Sequence, residues 1–374
     1  MGNMALIALS NAVILEGEEL SPTVGQLRIR DGMIEKIVRG SVRRGDDMRM
    51  NLIMPPFVNA HTHVMDSVAK EGYLGKRLDE VVGENGEKFK ALALSPDAQV
   101  RRAAAKTLED MIRTGTLAHC DFREDGVRGV KMLREISTGR PVSIILGRPT
   151  HKNETEAVLR AADGIGLPSV DGYTTSELRG IADEVHRRGK TLALHIAEDR
   201  PYADDEMGKV LRMHPKFLVH GTHLSENQLA LLAKKGIPLV FCPRSNHLLG
   251  AGEPPLKLAL EGGVKFLLGT DNAMVCQPEM FGEISFAWAH LRLADDSCGA
   301  AEACALLRSA TVDAARFFEL PWGPIEEGNP ATFIVLARKN NLMDIKNIQA
   351  GLVNRARAEN VIAVYASGRK IAPA

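Results

Sequence analysis

The chain has 374 residues, of which 25% are charged and 45% hydrophobic, as is ordinary for a globular protein. Lys+Arg and Asp+Glu both number 47, so no net charge attracts the chain to nucleic acid or to an anionic membrane. No apolar run approaches the roughly 20 residues that span a bilayer. The five scattered cysteines form neither a disulfide framework nor a CxxC zinc pair. We therefore predict a reduced, cytoplasmic protein without a nucleic-acid or membrane partner.

The two ends of the chain share a β-rich pattern. In the first fifty residues, short apolar segments alternate with Gly and Asp turns, and Asp31-Gly32 predicts a hairpin with a type I′ turn. The last fifty residues contain apolar segments at 331–336 and 361–365 and a turn at Ser367-Gly368. Together the ends predict a small β-sandwich composed of residues 1–53 and 325–374.

The middle of the chain alternates between predicted strands and helices. Helix starts are predicted at Ser95-Pro96-Asp97 and at the capping boxes Thr174-x-x-Glu177 and Ser225-x-x-Gln228, and strands over 52–60, 116–122, 191–195, 217–220, 237–242 and 264–271. This alternation predicts an α/β fold, a (β/α)8 TIM-like barrel over residues 54–324. A doubly wound open sheet is the alternative. No Gly-rich phosphate fingerprint follows the first strand, which counts against the nucleotide-binding versions of that sheet.

Side chains that can bind a metal follow several of these strands. They are His61 and His63 after the first strand (52–60), His195 at the end of the fifth (191–195), His220 at the end of the sixth (217–220) and Asp271 at the end of the eighth (264–271). A lone His-x-His is common in loops, but the strand ends of a barrel converge on one face, so these five side chains would meet. Three imidazoles and a carboxylate suit Zn²⁺ or Fe²⁺ and leave a position for water.

These motifs resemble those of the amidohydrolase superfamily, and within it the deaminase and chlorohydrolase branch related to cytosine, guanine and S-adenosylhomocysteine deaminases. The resemblance covers nearly the full length. It rests on the segments Pro55-Pro-Phe-Val-Asn-Ala-His-Thr-His63, Gly115-Thr-Leu…Asp121, His195-Ile-Ala-Glu198, Val219-His-Gly-Thr-His-Leu-Ser225, Cys242-Pro-Arg-Ser-Asn246 and Leu268-Gly-Thr-Asp-Asn272.

The resemblance implies a role for each residue. His61, His63, His195 and Asp271 would bind one divalent transition metal, Zn²⁺ with Fe²⁺ as the alternative. Asp271 would also accept the proton of the attacking water. Glu198 would move protons to the ring nitrogen and the leaving group, and His220 would orient the water or polarise the substrate. Two-metal relatives commonly use a carboxylated lysine after the fourth strand. The stretch 161–168 contains none, and Lys152 precedes it, so we predict one metal.

Further residues are candidates for contacts with the substrate. Arg148, where a third strand would end, could bind an anion or carbonyl, and Asn246 could hydrogen-bond a heterocycle; Glu198 and His220 would also contact the substrate. His119 and His223 are interpreted as structural. The segment 64–94, with Asp66 and Glu71, is long enough to act as a lid.

We predict a metal-dependent hydrolase that cleaves a carbon–nitrogen bond of a small molecule, with deamination of an amino-substituted N-heterocycle as the first hypothesis. Deaminases of methylthioadenosine and S-adenosylhomocysteine typically have an Ala-Pro-His motif after the fourth strand. Here Gly164-Ile-Gly-Leu-Pro-Ser169 lacks that histidine, which argues against such a nucleoside. A cyclic amide hydrolase and a hydrolytic dehalogenase are the enzymatic alternatives, and an inactive scaffold is the alternative of another class. A homo-oligomer is compatible with the sequence.

Overall fold

A computed structural model describes residues 6–42, 44–83, 85–139 and 141–372, with the backbone only for Lys152. Its strands are β1 (Ile7–Glu16), β2 (Ser21–Arg30), β3 (Met33–Arg39), β4 (Asp46–Asp47), β5 (Leu52–Met54), β6 (Phe57–His63), β7 (Thr116–Arg123), β8 (Val142–Gly147), β9 (Gly164–Leu167), β10 (Thr191–Ile196), β11 (Phe217–His220), β12 (Leu239–Phe241), β13 (Phe266–Leu268), β14 (Asp271–Asn272), β15 (Phe333–Leu336), β16 (Val361–Ala366) and β17 (Arg369–Ala372).

The α-helices are α1 (Leu78–Val82), α2 (Glu87–Leu94), α3 (Asp97–Arg113), α4 (Gly126–Ile136), α5 (Thr155–Ala161), α6 (Thr175–Arg187), α7 (Asp204–Arg212), α8 (Glu226–Lys235), α9 (Pro243–Leu248), α10 (Leu256–Glu261), α11 (Met280–Ala294), α12 (Ala300–Ser309), α13 (Val312–Phe317) and α14 (Ile348–Arg355). Short 3-10 helices cover Val64–Ala69, Lys152–Glu154, Asn340–Leu342 and Ala358–Asn360.

The first of two compact units comprises residues 1–58, 110–117 and 279–374. Its eight-stranded sheet has the order β17-β16-β15-β5-β1-β2-β3, with β4 paired to β1, so strands from both chain ends form one sheet. The antiparallel strands β2 and β3 confirm the predicted hairpin. Asp31 and Gly32 have φ of 51° and 81°, and positive φ at both central residues is what a type I′ turn requires. Helix α14 was not predicted.

The second unit comprises residues 59–109 and 118–278. A nine-stranded sheet in the order β13-β12-β11-β10-β9-β8-β7-β6-β14 gives it a parallel α/β architecture. Strands β6 and β7 are buried along their whole length, as expected of parallel strands covered on both faces. The predicted capping boxes are both formed, at Thr174 before α6 and at Ser225 before α8. Alternating strands and helices therefore form as the pattern predicted.

The last strand of this series departs from the prediction. The stretch 264–271 is interrupted, so that β13 pairs with β12 while β14 pairs with β6. The two edges of the sheet thus come from one short stretch of chain, with Gly269 and Thr270 between them. A Cβ atom on Gly269 would lie 2.6 Å from the backbone nitrogen of His61, so only glycine fits where this stretch passes β6.

Candidate metal centre

The structure brings together the side chains that the sequence placed at strand ends. His61 and His63 lie on β6, His195 lies on β10, His220 ends β11 and Asp271 begins β14, and all five are buried. His61 belongs to two overlapping trios, one with His63 and His195 and one with His220 and Asp271. Within each trio the potential ligand atoms lie within 4.8 Å of one another. Residues separated by up to 210 positions therefore form one cluster at the carboxyl ends of the strands.

The facing atoms of this cluster are imidazole nitrogens and carboxylate oxygens. His61 Nε2 lies 3.2 Å from His195 Nε2 and 3.2 Å from Asp271 Oδ1. His63 Nε2 lies 3.5 Å from the same Asp271 oxygen. The Nδ1–H of His195 donates to the carbonyl of Leu167 at 3.1 Å, which leaves a lone pair on its Nε2. Facing lone pairs repel one another unless a proton or a cation lies between them, so the donor set fits a divalent metal such as Zn²⁺.

The backbone turns sharply after β10, at the end of β11 and at the start of β14. Ala197, His220 and Asp271 have φ of 41°, 69° and 59°, in the left-handed region that residues other than glycine rarely occupy. Such strained positions concentrate at functional sites, because the surrounding structure must hold a side chain in an otherwise unfavourable direction. The strain at these three positions therefore agrees with a functional role for this cluster.

Burial controls the charge state of the histidines and carboxylates. It lowers the pKa of His61 to about 3 and that of His195 well below its usual value, so both are neutral imidazoles, the form that binds a metal. Burial opposes ionisation of Asp271, but its hydrogen bond with His61 and its electrostatic interactions with the neighbouring histidines hold its pKa well below the usual range. Ser245 Oγ donates a 2.5 Å hydrogen bond to Asp271 Oδ2 and so leaves Oδ1 for the histidines. Ser245 lies in the segment 242–246 that carries the family resemblance, but its contact with Asp271 was not predicted.

Glu198 lies beside this cluster. Its Oε2 is 3.6 Å from His220 Nε2, and its side chain is 20% exposed. Burial raises the pKa of Glu198, and although the neighbouring His220 opposes this shift, the Asp271 charge adds to it. Asn246 is buried, and its Nδ2 lies 3.2 Å from His220 Nδ1. Glu198 is thus a carboxyl group with a raised pKa beside Asp271, whose pKa is lowered, an arrangement that separates acid and base roles.

A second group of charges lies next to His63. We call Asp66, Lys88, Arg123 and Glu124 the buried charge cluster, because each is at most 4% exposed. Lys88 Nζ lies 2.6 Å from Glu124 Oε1 and 3.3 Å from Asp66 Oδ2, and Arg123 Nη2 lies 2.6 Å from Glu124 Oε2. Burial alone would lower the pKa of Lys88, but attraction to Asp66 and Glu124 raises it. Burial likewise opposes ionisation of Glu124, yet Lys88, His63 and Arg123 hold its pKa well below the usual range.

The sequence identified Asp66 in this cluster but not the other three residues. Glu124 directly follows β7, so the strand-end signal that found the histidines could also have found it. Lys88 carries no such signal, because its burial depends on how α2 packs. Arg148 directly follows β8, and its Nη1 lies 3.7 Å from Glu124 Oε1. Its Nε is buried and has no hydrogen-bond partner among the residues that the structure describes.

A cavity of about 420 Å³ adjoins the buried charge cluster. Arg123 and Glu124 contribute charge to its wall, and the apolar lining includes Met65, Phe89, Leu92, Val100 and Met132. Its volume is in the range of small-molecule pockets.

The two histidines that the sequence analysis interpreted as structural both have hydrogen-bond partners. His119 is buried, with Nδ1 2.9 Å from Thr62 Oγ1 and Nε2 2.6 Å from Ser143 Oγ, which agrees with its interpretation as a packed polar residue. His223 Nε2 donates to the Ala251 carbonyl at 2.6 Å. Glu71, the other candidate from the predicted lid, is exposed.

Among the described residues, no helix is both long and apolar enough to cross a membrane.

Three buried imidazoles and a carboxylate at the carboxyl ends of parallel strands, with a further acid beside them, define the class of metal-dependent hydrolases. A sequence model of the Amidohydrolase family matches residues 52–371, and the chain belongs to that family. It is accordingly a hydrolase of carbon–nitrogen bonds other than peptide bonds.

Individual relatives agree with this membership. The protein named "Putative aminohydrolase" from Methanothermobacter thermautotrophicus is 33% identical, over 98% of this chain and 100% of its own length. The 5-methylthioadenosine/S-adenosylhomocysteine deaminase of Thermococcus sibiricus is 26% identical, over 98% of this chain and 93% of its own. The crystal structure of guanine deaminase from C. acetobutylicum superposes with a TM-score of 0.76 at 17% identity, covering 98% of this chain and all of that one. At that identity the superposition shows a shared fold.

Proposed function

We propose that the protein hydrolytically deaminates an amino-substituted N-heterocycle with the help of one divalent transition metal, Zn²⁺ in preference to Fe²⁺. The observation that carries this proposal is the convergence of His61, His195 and Asp271 at 3.2 Å, with His63 at 3.5 Å. A cluster of this composition beside a second carboxyl group suits the hydrolysis of a carbon–nitrogen bond in which one proton is removed from water and another is delivered to the substrate.

Each residue has a distinct task in this proposal. A metal held by His61, His63, His195 and Asp271 would supply the Lewis acidity that lowers the pKa of water from near 16 toward about 7. Asp271 accepts the proton of the attacking water. Glu198, whose pKa is raised by burial, delivers its proton to the ring nitrogen, takes up the hydroxyl proton of the adduct and passes it to the amino group, which leaves as ammonia. The proton that Asp271 accepted from water then returns Glu198 to its protonated form.

The substrate contacts follow from the neighbours of these groups. His220, 3.6 Å from Glu198, orients the water or polarises the substrate, and Asn246 fixes the His220 ring. In this proposal Asn246 and Arg148 also contact the heterocycle.

The names of the relatives support deamination but do not agree on one substrate. One relative is named a deaminase of 5-methylthioadenosine and S-adenosylhomocysteine, and the guanine deaminase was crystallised with guanine. The segment Gly164–Leu167 forms β9, and Pro168-Ser169 follow it without the histidine typical of the nucleoside deaminases. We therefore propose a free heterocycle as the substrate rather than such a nucleoside.

The test is an ammonia-release screen of aminopurines, aminopyrimidines, pterins and their nucleosides on zinc-loaded protein. Release from one of these classes, abolished in an Asp271→Asn variant, supports the proposal. Product formation from a cyclic amide or a halogenated ring without ammonia would replace deamination by one of the alternatives. A protein that binds no stoichiometric metal even after growth in zinc-supplemented medium would be an inactive scaffold.

The architectural part of the proposal is a closed (β/α)8 barrel over residues 54–324 with a terminal β-sandwich over 1–53 and 325–374. It is supported by β13 and β14, which follow one another in the chain and yet form the two opposite edges of the nine-stranded sheet, where β13 pairs with β12 and β14 pairs with β6. A cytoplasmic location, the lack of a nucleic-acid partner and a homo-oligomeric state stay predictions from the sequence.

A further inference from the structure

Helix α2 is buried in an unusual way. Its apolar residues Phe89 and Leu92 are half-buried and Leu94 is 85% exposed, whereas Lys88 is only 3% exposed. Replacing a whole group of buried ion pairs by apolar residues is often neutral or stabilising, whereas removing one partner leaves the others buried and unpaired. The fold therefore does not require this group of charges, but the buried carboxylates of Asp66 and Glu124 require a cation at the position of Lys88.

The atoms that Lys88 contacts lead to a proposed metal ligand. Glu124 Oε1 lies 2.6 Å from Lys88 Nζ and 3.0 Å from His63 Nδ1, so one oxygen is shared between the lysine and the histidine. The other oxygen, Oε2, is held by Arg123 Nη2 at 2.6 Å. The approach to His63 is close but is not a straight hydrogen bond, because His63 Nδ1 has no hydrogen-bond partner of good geometry among the described residues. The position of Oε1 relative to the ring is therefore set by Lys88 and Arg123 and not by His63 itself.

A second contact connects Lys88 with β14. Lys88 Nζ lies 3.3 Å from Asp66 Oδ2, and the same oxygen accepts a 2.9 Å hydrogen bond from Asn272 Nδ2. Asn272 directly follows Asp271, the proposed carboxylate ligand. A single ammonium group on α2 is thus connected to two different proposed ligands, to His63 on β6 through Glu124 and to Asp271 on β14 through Asp66 and Asn272.

We propose that Lys88 is a positioning residue that orders the metal ligands through Glu124 and Asp66. With α2 in place, Lys88 holds the Glu124 carboxylate against the outer nitrogen of His63, so that the opposite nitrogen points at the metal. Partners that contact the outer nitrogen of a ligand histidine usually contribute 10–100-fold to metal affinity. The segment 64–94, predicted as a lid, would then be coupled to metal binding as well as to substrate access. The inference rests on the proposed ligand set.

The test measures zinc dissociation into an excess of chelator, well below the unfolding temperature, for purified full-length variants. Lys88→Met should release zinc about 10–100-fold faster than the wild type. Lys90→Met is the matched control, because Lys90 is on the same helix, is 59% exposed and pairs with Glu87, whose side chain is 33% exposed. It should release zinc at the wild-type rate. Lys88→Arg, which keeps the charge, should restore at least part of the slow release.

A double-mutant cycle distinguishes a positioning role from a merely structural one. If Lys88 acts through Glu124, the effects of Lys88→Met and Glu124→Gln on the zinc release rate should not be additive. Additive effects, or wild-type release by Lys88→Met, would overturn the inference. If Lys88→Met does not fold, the zinc release rate of Glu124→Gln decides alone. Release at the wild-type rate by Glu124→Gln would mean that Lys88 does not act on His63 through Glu124, and it would overturn the inference. Zinc retention by a His195→Ala variant would instead contradict the ligand set and hence the proposed function.

Discussion

Gly269 offers a sharp test of how closely the chain is packed around the proposed metal ligands. A Cβ atom added there would lie 2.6 Å from the backbone nitrogen of His61, 2.8 Å from its Cβ and 3.0 Å from its Cα. Ordinary contacts of a Cβ atom begin at 3.4 Å, so Gly269→Ala requires a displacement of about 0.8 Å. Two of the three atoms belong to the backbone of β6, which cannot rotate away as a side chain can. The displacement must therefore move either His61 or the stretch that leads into Asp271, and each of these is a proposed ligand.

The expected magnitude follows from this geometry. Overpacking of a well-packed interior costs about 1–3 kcal/mol of unfolding free energy. A misplacement near 1 Å at a catalytic centre costs on the order of 10²-fold in rate. We therefore expect Gly269→Ala to lower the free energy of unfolding by about 1–3 kcal/mol, to weaken zinc binding and to reduce turnover on the order of 100-fold.

Gly180→Ala provides the matched control for this substitution. Gly180 lies on α6, and a Cβ atom there would have no heavy atom within 4 Å. Alanine in an exposed helix is about 0.8–1 kcal/mol more favourable than glycine, so this variant should be slightly stabilised with unchanged zinc binding. The assays are denaturant unfolding, zinc content and turnover on the same preparations. A Gly269→Ala protein with wild-type zinc affinity and turnover would refute the reasoning.

Three further substitutions separate the roles of individual residues. Glu198→Gln should retain zinc and the fold but lower kcat about 10²–10⁴-fold, the usual contribution of a positioned acid; loss of zinc in this variant would make Glu198 a ligand. Asp271→Asn should lose zinc and turnover together, which metal analysis and rate measurements on one preparation check. Burial lowers the pKa of His119 to about 3 from the 6.5 of an exposed histidine, so the unfolded chain binds the extra proton between these values. Stability from this neutral histidine is complete above pH 6.5 and is lost as the pH falls toward 3. His119→Gln should therefore reduce the pH slope of the unfolding free energy in that window, by up to about 1.4 kcal/mol per pH unit, and an unchanged slope would contradict the pKa assignment.

The sequence by itself determined much of the local structure. Capping boxes at Thr174 and Ser225 determine where α6 and α8 begin, because their side chains satisfy backbone N–H groups of the first turn. The pair Asp31-Gly32 determines the β2–β3 turn, because few residues tolerate positive φ. Strand ends in a parallel sheet lie on one face, so the clustering of His61, His195 and Asp271 could be predicted without coordinates.

Only the tertiary structure decided which polar groups share a partner. Lys88, Glu124 and His63 come from three separate segments, and their contact at Glu124 Oε1 depends on how α2 packs beside β6 and β7. Ser245 reaches Asp271 because unpredicted helix α9 places it there, and Gly269 is required because β14 passes close to His61. Hydrophobic periodicity and capping act over a few residues, whereas these contacts depend on the register and spacing of strands far apart in the chain. Local sequence patterns therefore predicted the ligand types, and the packing of the strands and α2 decided what holds those ligands in place.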